Sequence, residues 1–343
     1  MKKFHTVIVG GGPGGLACAT LLAREGKEVL LLERNNTIGP KVCAGGIPAT
    51  SLPLDFPEGL WERSFTRQHI RSNWQHTALQ DDAPIIRTVN RARLGHWMAE
   101  RAVAAGVSIA TNALVLNISE DRVLVRGGDE FGYDFLVGAD GSSSLVRRYL
   151  RIPAEQTGIG IHYQVKGNFP ELQWHLNTDL FGQGYAWIFP HRDTASIGVY
   201  ARRTASNPGI LLNGLHQWGA RHTLELKSRQ PQAALINFDF RGWRFNNRFL
   251  IGDAAGLASG LTGEGISSAI VSGEEAGRTI LDSKYESRRM NQLIKRHHQH
   301  TRLLDLLPGG KLAGKLVAES MIFCLRTGII PFRALEMGTD QNS

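Results

Sequence analysis

Residues 6–15 read TVIVGGGPGG, a short apolar run rich in β-branched residues that enters a glycine turn. Residues 16–24, LACATLLAR, predict a helix that stops at Gly26, and residues 29–32 predict a second strand that ends at Glu33. This succession of strand, glycine turn, helix, strand and acidic residue is the dinucleotide-binding βαβ pattern. Because every part of the pattern is in its expected place, an accidental glycine turn is a poor explanation.

The glycines of this turn have separate predicted tasks. Gly10 permits the tight turn, Gly12 lets the backbone approach a pyrophosphate, and Gly15 lets the helix pack closely on the strand. The helix N-terminus then offers unpaired N–H groups to the pyrophosphate, and Glu33 is expected to accept hydrogen bonds from a ribose. The pattern alone does not choose between FAD and NAD(P).

Two later glycine–acid turns favour one cofactor. GADG follows a predicted strand at residues 138–141, and GDAAG follows another at residues 252–256, shortly before a predicted helix. Asp253, at a strand end, can accept a hydrogen bond from a ribityl hydroxyl, and the helix N-terminus after it favours negative charge on a reduced flavin. Three such turns in this order predict FAD as the cofactor.

The same three turns resemble those of the para-hydroxybenzoate-hydroxylase-fold FAD superfamily. Three segments narrow the resemblance to the geranylgeranyl reductase family: KVCAGGI at residues 41–47, GYAWIFP at residues 184–190 and GDAAGLASGLTGEGI at residues 252–266. One departure is Gly260, where the family usually has proline, so we expect a more mobile loop over the flavin. The resemblance implies an FAD-dependent reductase that saturates isolated C=C bonds of an isoprenoid lipid or diphosphate, with NAD(P)H or a ferredoxin-like protein as electron donor.

The resemblance also places FAD against residues that are spread along the chain. Besides Gly10, Gly12 and Gly15, these residues are Gly14, Glu33, Ala44, Gly45, Gly46, Arg91, Val115, Asp253, Gly265 and Ile266. Arg91 would balance the pyrophosphate charge, the alternative being a surface arginine. Val115 would act through its backbone.

Three side chains are candidates for catalytic contact with flavin or substrate. Cys43 lies in the loop that the resemblance brings to the flavin, either as a neighbour of the ring or as a small buried hydrophobe. No paired histidine is evident, so we do not expect Cys43 to be a nucleophile. Tyr185 and Trp187 are two residues apart and share one face of a strand, which Phe189 extends. Such a wall suits an apolar substrate, although an aromatic stripe is also ordinary sheet core.

The alternation of elements predicts an α/β fold. We expect a Rossmann-type FAD-binding lobe built from discontinuous segments, an inserted and mainly antiparallel β-sheet substrate lobe, and a helical C-terminus. The predicted boundaries are residues 1–47, 91–156 and 248–282 for the FAD-binding lobe, residues 48–90 and 157–247 for the substrate lobe, and residues 283–343 for the C-terminal helical segment.

The charge of the chain limits its partners. A formal net charge of +8 favours anionic partners, although a basic solvated surface explains it equally well. Nucleic acid is not expected, because no recognised binding motif accompanies the charge. Residues 311–333 are basic and amphipathic to apolar, so they could lie on an anionic membrane surface and admit a lipid substrate, or pack on the cofactor lobe.

The remaining composition predicts a protein of the reducing cytoplasm, or one peripheral at the inner face of the membrane. The chain has three widely spaced cysteines, which predict neither a disulfide framework nor a zinc site. The histidines at 297, 298 and 300 are crowded by Arg and Lys, so we expect them to be solvated and no metal to be bound. No apolar run approaches the roughly eighteen residues of a membrane-spanning helix.

Other flavoprotein activities are alternatives to the isoprenoid reductase. The main one is a monooxygenase that uses NAD(P)H and O₂ on an aromatic or apolar substrate, against which the three family-like segments argue without excluding oxygen chemistry. An electron relay of the electron-transfer quinone reductase type would need iron–sulfur cysteines that this sequence lacks. A flavin halogenase would need a lysine in a suitable sequence motif, and no lysine of this sequence lies in a convincing one.

Overall fold

The computed structural model describes residues 1–49, 56–306 and 311–330. Its strands are β1 (Lys2–Val9), β2 (Val29–Leu32), β3 (Gly46–Pro48), β4 (Trp61–Phe65), β5 (Arg67–Arg71), β6 (His76–Gln80), β7 (Ile86–Val89), β8 (Ser108–Ala110), β9 (Val115–Ile118), β10 (Arg122–Val125), β11 (Glu130–Gly138), β12 (Thr157–Lys166), β13 (Leu172–His175), β14 (Tyr185–Pro190), β15 (Thr194–Arg202), β16 (Gln232–Asn237), β17 (Arg244–Phe245) and β18 (Arg248–Leu250). Its α-helices are α1 (Pro13–Arg24), α2 (Arg91–Ala104), α3 (Leu145–Tyr149), α4 (Thr178–Phe181), α5 (Pro208–Arg221), α6 (Gly252–Ala255), α7 (Ile266–Leu281), α8 (Arg288–Asp305) and α9 (Lys311–Arg326).

Strand β1 lies at the centre of an eight-stranded sheet. It pairs in parallel with β2 on one side and with β11 on the other, and β18 continues the parallel pairing beyond β11. In this register Val9 is opposite Gly138, and Gly138 is opposite Leu250. The three glycine turns that follow β1, β11 and β18 therefore meet at one edge of the sheet, outside the carboxyl ends of its strands.

Glycines let helices α1 and α7 pack closely against each other beside this sheet. Helix α1 begins with Pro13, whose fixed φ suits a first helical position. A Cβ atom at Gly15 would lie 2.2 Å from the carbonyl oxygen of Gly10, and one at Gly273 in α7 would lie 2.2 Å from that of Gly14. Neither position has room for a methyl group, so Gly15 is required for the packing of α1 on the first glycine turn, and Gly273 for the approach of α7 to α1.

A second sheet of seven strands is mainly antiparallel. Its order is β16-β12-β15-β14-β13-β5-β6, and β5 with β13 is its parallel pair. Helix α5 covers one face with Leu211, Leu215 and Trp218, while strands β3, β7 and β4 form a small third sheet. The predicted fold class is confirmed: an α/β fold with a mainly antiparallel sheet inserted and helices at the C-terminal end. The exact lobe boundaries stay a prediction.

Helix α9 packs on strand β6 and helix α4, both on the side of the seven-stranded sheet. The expected packing of this tail on the cofactor lobe is therefore wrong for residues 311–330. The contact depends on Glu319, whose carboxylate accepts hydrogen bonds from Ser72 Oγ at 2.7 Å, the Trp74 N–H at 3.0 Å and Gln75 Nε2 at 2.9 Å. The last residues of the predicted tail, 331–333, lie outside the described residues.

In helix α8, two of the three histidines that were predicted to be solvated are buried, so that prediction is wrong for His297 and His300. His297 and His300 are each 2% exposed, because they share the inner stripe of the helix with Met290, Leu293 and Leu304, whereas His298 is exposed. Burial lowers the pKa of His297 to about 4, so its ring is neutral at pH 7.

No group of three His, Cys, Asp or Glu residues within the described ranges could hold a metal ion. The helices of those ranges are all too short or too polar to cross a bilayer.

The contact between α1 and α7 can be tested with two helical glycines. Gly273→Ala forces a methyl group against the Gly14 carbonyl and should lower the free energy of unfolding by about 2 kcal/mol or more. Gly314→Ala in α9 is the matched control, because a Cβ there meets nothing within 4 Å and should raise that free energy by up to about 1 kcal/mol. Urea unfolding of the two variants measures both values, and equal stabilities would contradict this account of the packing.

Candidate functional site

A cavity of about 1000 Å³ is lined by residues of both large sheets. One part of the lining comes from the three glycine turns, and another from strand β14 and helix α9. All the residues predicted to bind FAD or contact substrate line this cavity: Gly10, Gly12, Gly14, Gly15, Glu33, Cys43, Ala44, Gly45, Gly46, Arg91, Val115, Tyr185, Trp187, Asp253, Gly265 and Ile266. The fold thus brings together residues that are up to 256 positions apart in sequence, from Gly10 to Ile266. Their individual roles stay predictions.

The first glycine turn has both crowded and open positions. Gly10 has φ +109°, and a Cβ there would lie 2.4 Å from the Ala139 carbonyl oxygen. A Cβ on Gly14 would lie 2.7 Å from the Ala269 carbonyl oxygen in α7. At Gly12 the nearest such atom is 4.0 Å away, so this backbone faces open cavity space at the N-terminus of α1. That arrangement fits a bound pyrophosphate, which takes its hydrogen bonds from N–H groups of a helix N-terminus.

Glu33 is held as a hydrogen-bond acceptor at the end of β2. Its Oε2 accepts from the Gly11 N–H at 2.8 Å, and its Oε1 accepts from the Asn35 N–H at 2.9 Å and from Asn35 Nδ2 at 2.7 Å. An ionised carboxylate has about four lone-pair sites, so acceptor capacity remains for a ribose hydroxyl. The side chain is buried, and its three hydrogen bonds hold it in place in the cavity lining.

Arg91 provides a test of whether the cavity fits an anionic cofactor. It is the first residue of α2, a helix that Asn90 caps by accepting from the N–H groups of Ala92 and Arg93. Within the described part of the chain, its Nε and Nη1 atoms are buried and have no hydrogen-bond partner. Buried charged donors are costly when they are unpaired, and a pyrophosphate in the cavity would satisfy them.

Asp253 connects three of the sequence motifs. Its Oδ2 accepts from Lys41 Nζ at 3.1 Å, in the KVCAGGI loop, and from Ser142 Oγ at 3.1 Å, just after the GADG turn. A Cβ at Gly265, the N-cap of α7, would lie 3.1 Å from the other carboxylate oxygen. The contacts of Lys41 and Ser142 with Asp253 were not predicted from the sequence, although both residues lie in or beside the motifs named above.

The KVCAGGI loop packs on the end of strand β14. His191 Nε2 lies 3.0 Å from the Ala44 carbonyl oxygen, and a Cβ at Gly46 would lie 2.3 Å from the Phe189 ring. Cys43 is half-buried, and its Sγ accepts from the Gly45 N–H at 3.4 Å. The role of His191 was not predicted, because nothing in the sequence brings it close to residue 44.

The aromatic wall of β14 lies in this cavity. The rings of Tyr185 and Trp187 are 6.1 Å apart, and those of Trp187 and Phe189 are 6.5 Å apart. Trp174 from β13 adds a fourth ring, 5.0 Å from both Tyr185 and Phe189. Trp174 was not predicted from the sequence, since its position opposite Trp187 depends on the register of β13 and β14.

Two tyrosines join this wall to the loop between α6 and α7. The Tyr185 hydroxyl donates to the Thr262 carbonyl, and the Tyr200 hydroxyl donates to the Gly260 carbonyl at 2.8 Å. Burial raises the pKa of Tyr185 well above its ordinary value, which keeps the phenol protonated as a donor. A Cβ at Gly260 would lie 2.7 Å from the Phe238 ring, so close packing accounts for glycine at this departure from the family pattern.

Comparison with known proteins shows similarity over most of the chain. Residues 3–173 match the model of the FAD binding domain family. Digeranylgeranylglycerophospholipid reductase 1 of Methanopyrus kandleri is 27% identical over 323 residues, which cover 86% of this chain and 85% of that protein. A geranylgeranyl bacteriochlorophyll reductase-like structure from Thermoplasma acidophilum has a TM-score of 0.81 at 21% identity, covering 98% of this chain and 96% of its own. A probable FAD-dependent monooxygenase from Pseudomonas aeruginosa shares the fold, with a TM-score of 0.66 at 16% identity over 95% of this chain and 97% of its own.

Arg91 gives a direct test of cofactor binding. Arg91→Met removes the guanidinium, whose buried Nε and Nη1 atoms have no partner in the described part of the chain, and should weaken FAD binding by about 10- to 100-fold, the usual loss for a hydrogen bond to a charged group. Arg93→Met is the control, because Arg93 pairs with Glu62 Oε1 at 3.0 Å on an exposed part of the same helix. Titration of the apoprotein with FAD, followed by flavin fluorescence, gives both dissociation constants. Equal constants for Arg91→Met and the unmodified protein would refute this role.

Proposed function

Because the chain belongs to the geranylgeranyl reductase family of FAD-dependent oxidoreductases, we propose that it saturates isolated C=C bonds of an isoprenoid lipid or diphosphate. The observation that supports this substrate class best is the cavity itself, which runs from the glycine turns to a wall of buried aromatic rings. The name of the Methanopyrus kandleri relative, a digeranylgeranylglycerophospholipid reductase, points to the same class.

An isolated alkene is unactivated, so the protein must align it, exclude water and position a proton source. When bound and reduced, FAD supplies the hydride. Tyr185, Trp187 and Phe189 are all buried and offer apolar surface to an isoprenoid chain, which excludes water from the alkene. The Tyr185 hydroxyl is committed to the Thr262 carbonyl, so we assign it to holding the loop rather than to donating the proton.

Helix α7 begins beside the carboxylate of Asp253, with Gly265 as its N-cap. The partial positive charge of a helix N-terminus stabilises a nearby anion, which includes an anionic reduced flavin. Lys41 Nζ lies 3.1 Å from the Asp253 carboxylate and offsets its negative charge, which would otherwise oppose an anionic flavin. These groups would favour the reduced cofactor at this position.

The proposal is tested with the FAD-loaded protein, reduced anaerobically by dithionite. Mixing with geranylgeranyl diphosphate, or with a digeranylgeranyl glycerophospholipid, should reoxidise the flavin and add two hydrogen atoms to the lipid for each bond saturated, which mass spectrometry detects. A fully saturated chain of the same length is the control and should leave the flavin reduced. Failure with both lipids, together with O₂-dependent oxidation of NAD(P)H on an aromatic substrate, would instead establish a monooxygenase.

Cys43 can be tested separately from cofactor binding. Cys43→Ser should leave FAD bound and lower flavin-dependent turnover by about tenfold, equivalent to roughly 1.4 kcal/mol of transition-state stabilisation. Cys324→Ser in α9 is the matched control and should leave turnover unchanged. Turnover of Cys43→Ser equal to that of the unmodified protein would remove Cys43 from the reaction.

We also propose that the protein takes its lipid from an anionic membrane surface on the cytoplasmic side, through helix α9. The outward stripe of this helix is apolar, with Leu312 68%, Leu316 54% and Phe323 46% exposed. Its inward residues Val317 and Met321 line the cavity. One helix therefore borders both solvent and the cavity, as an interfacial amphipathic helix that admits a lipid would do.

Charge on the same surface favours anionic lipid. The Arg326 guanidinium lies over the Phe323 ring, 5.6 Å from its centroid, at the exposed end of the stripe. Lys315 Nζ lies 5.9 Å from the ring centroid of the exposed Trp74 and 2.8 Å from Asp179 Oδ2, so its charge is largely offset and Arg326 carries the attraction to anionic lipid. Aromatic rings with adjacent cations suit the boundary between lipid head groups and acyl chains.

Vesicle binding tests the role of α9. The double variant Leu316→Glu/Phe323→Glu should lose most co-sedimentation with vesicles that contain phosphatidylglycerol, because it places two negative charges on the stripe. Val103→Glu is the control, since Val103 is 59% exposed on α2 and does not line the cavity. Binding that is unaffected by the double variant, or that is equal for vesicles of neutral phosphatidylcholine, would contradict the proposal.

A further inference from the structure

Behind the aromatic wall, a chain of buried polar groups leads away from Trp187. Trp187 Nε1 donates to Ser196 Oγ at 3.1 Å, and Ser196 Oγ lies 2.7 Å from His162 Nδ1. His162 Nε2 in turn lies 3.2 Å from Gln232 Oε1. Ser196 is fully buried and His162 is 4% exposed, so the central links of the chain are shielded from bulk water.

The chemistry of the four groups fixes the direction of every hydrogen bond. An indole N–H can only donate, so Ser196 Oγ accepts from Trp187. Gln232 Oε1 can only accept, so His162 Nε2 carries a proton and donates it to that oxygen. Burial lowers the pKa of His162 and favours its neutral ring, in which Nδ1 is an acceptor and takes the Ser196 proton.

The sheet allows the indole to reach this chain because glycine lies beneath it. Trp187 is opposite Gly198 on β15, where a Cβ would lie 2.4 Å from indole Cζ2. The ring therefore lies flat across β15 toward β12, where Gly160 leaves space beside its edge. Ser196 on β15 and His162 on β12 meet the indole there, so groups from neighbouring strands set its orientation.

We propose that Ser196 and His162 are positioning residues that hold the Trp187 indole at one angle in the cavity wall and thereby set the fit of an apolar chain. This inference rests on the proposed isoprenoid substrate. Trp187 and His162 both line the cavity, so a change in the ring's angle changes the space that a substrate occupies. Without Ser196 the indole N–H and His162 Nδ1 would both be buried and unpaired, which favours rotation of the ring toward another partner.

The first experiment measures the hydrogen bond itself, without substrate. Protein carrying ¹⁵N-indole tryptophan gives a set of indole N–H resonances, and Trp187→Phe identifies the one that belongs to residue 187. Ser196→Ala should shift this resonance and speed its exchange with solvent. A resonance that neither shifts nor exchanges faster in Ser196→Ala would overturn the proposal.

Two histidine variants separate positioning from general stability. His162→Asn keeps an acceptor close to the place of Nδ1 and should preserve the Trp187 resonance, whereas His162→Leu removes the acceptor and should shift it. His216→Leu is the matched control on helix α5, which covers the same sheet, because His216 Nε2 bonds the Tyr163 hydroxyl of β12 at 2.7 Å and does not line the cavity. A shift in His216→Leu equal to that in His162→Leu would mean that the effect is general destabilisation.

The functional consequence is measured by comparing the change in KM with the change in kcat in the Ser196 and His162 variants. Ser196→Ala and His162→Leu should raise KM for geranylgeranyl diphosphate by about tenfold, the equivalent of one lost hydrogen bond, with a smaller change in kcat and no change in FAD affinity. His162→Asn should restore KM. If the Trp187 resonance shifts while KM stays the same, the positioning role is wrong. If the unmodified protein does not reduce the lipid, the proposed function fails, but the resonance still reports on the hydrogen bond between Trp187 and Ser196.

Discussion

The parallel pairing of β1, β11 and β18 is the constraint on which the site depends. Their register places Val9, Gly138 and Leu250 side by side, so the turns that follow them open at the same edge. Parallel strands end in the same direction, and groups placed just after each strand must therefore converge. A shift of one strand by a single residue would move a turn by about 3.3 Å and separate Asp253 from Lys41 and Ser142.

Glycine at the helix contacts is the second requirement of this arrangement. Gly14, Gly15 and Gly273 let α1, α7 and the first turn approach until a methyl group would not fit between them. This approach keeps the N-termini of both helices at the cavity, where their partial positive charges add. The cofactor end of the cavity is thus built from backbone, which has little freedom to rearrange when an anion binds.

The polar groups of the cavity fall into two classes. Glu33 and Tyr185, together with Ser196 behind the wall, already have partners that fix their orientation, whereas buried atoms of Arg91 have none in the described part of the chain. Groups with partners are held in position before a ligand arrives, and a buried unpaired cation gains by meeting an anion. In the proposed function, the cavity would therefore combine a charged end suited to a dinucleotide with an apolar end whose shape depends on hydrogen bonds behind the wall.

Sequence alone determined the elements, the three glycine turns and the aromatic stripe, because each is a local pattern with its own period or turn chemistry. Family resemblance then supplied residues as far apart as Gly10 and Ile266, and all of them line one cavity. Tertiary structure alone decided the contacts of Trp174, His191 and Ser196, since these depend on strand register and on which segments cross in space. It also decided that α9 packs beside β6 and that His297 is buried, because the burial of a helix face depends on the surface it meets and not on the charge of its neighbours in sequence.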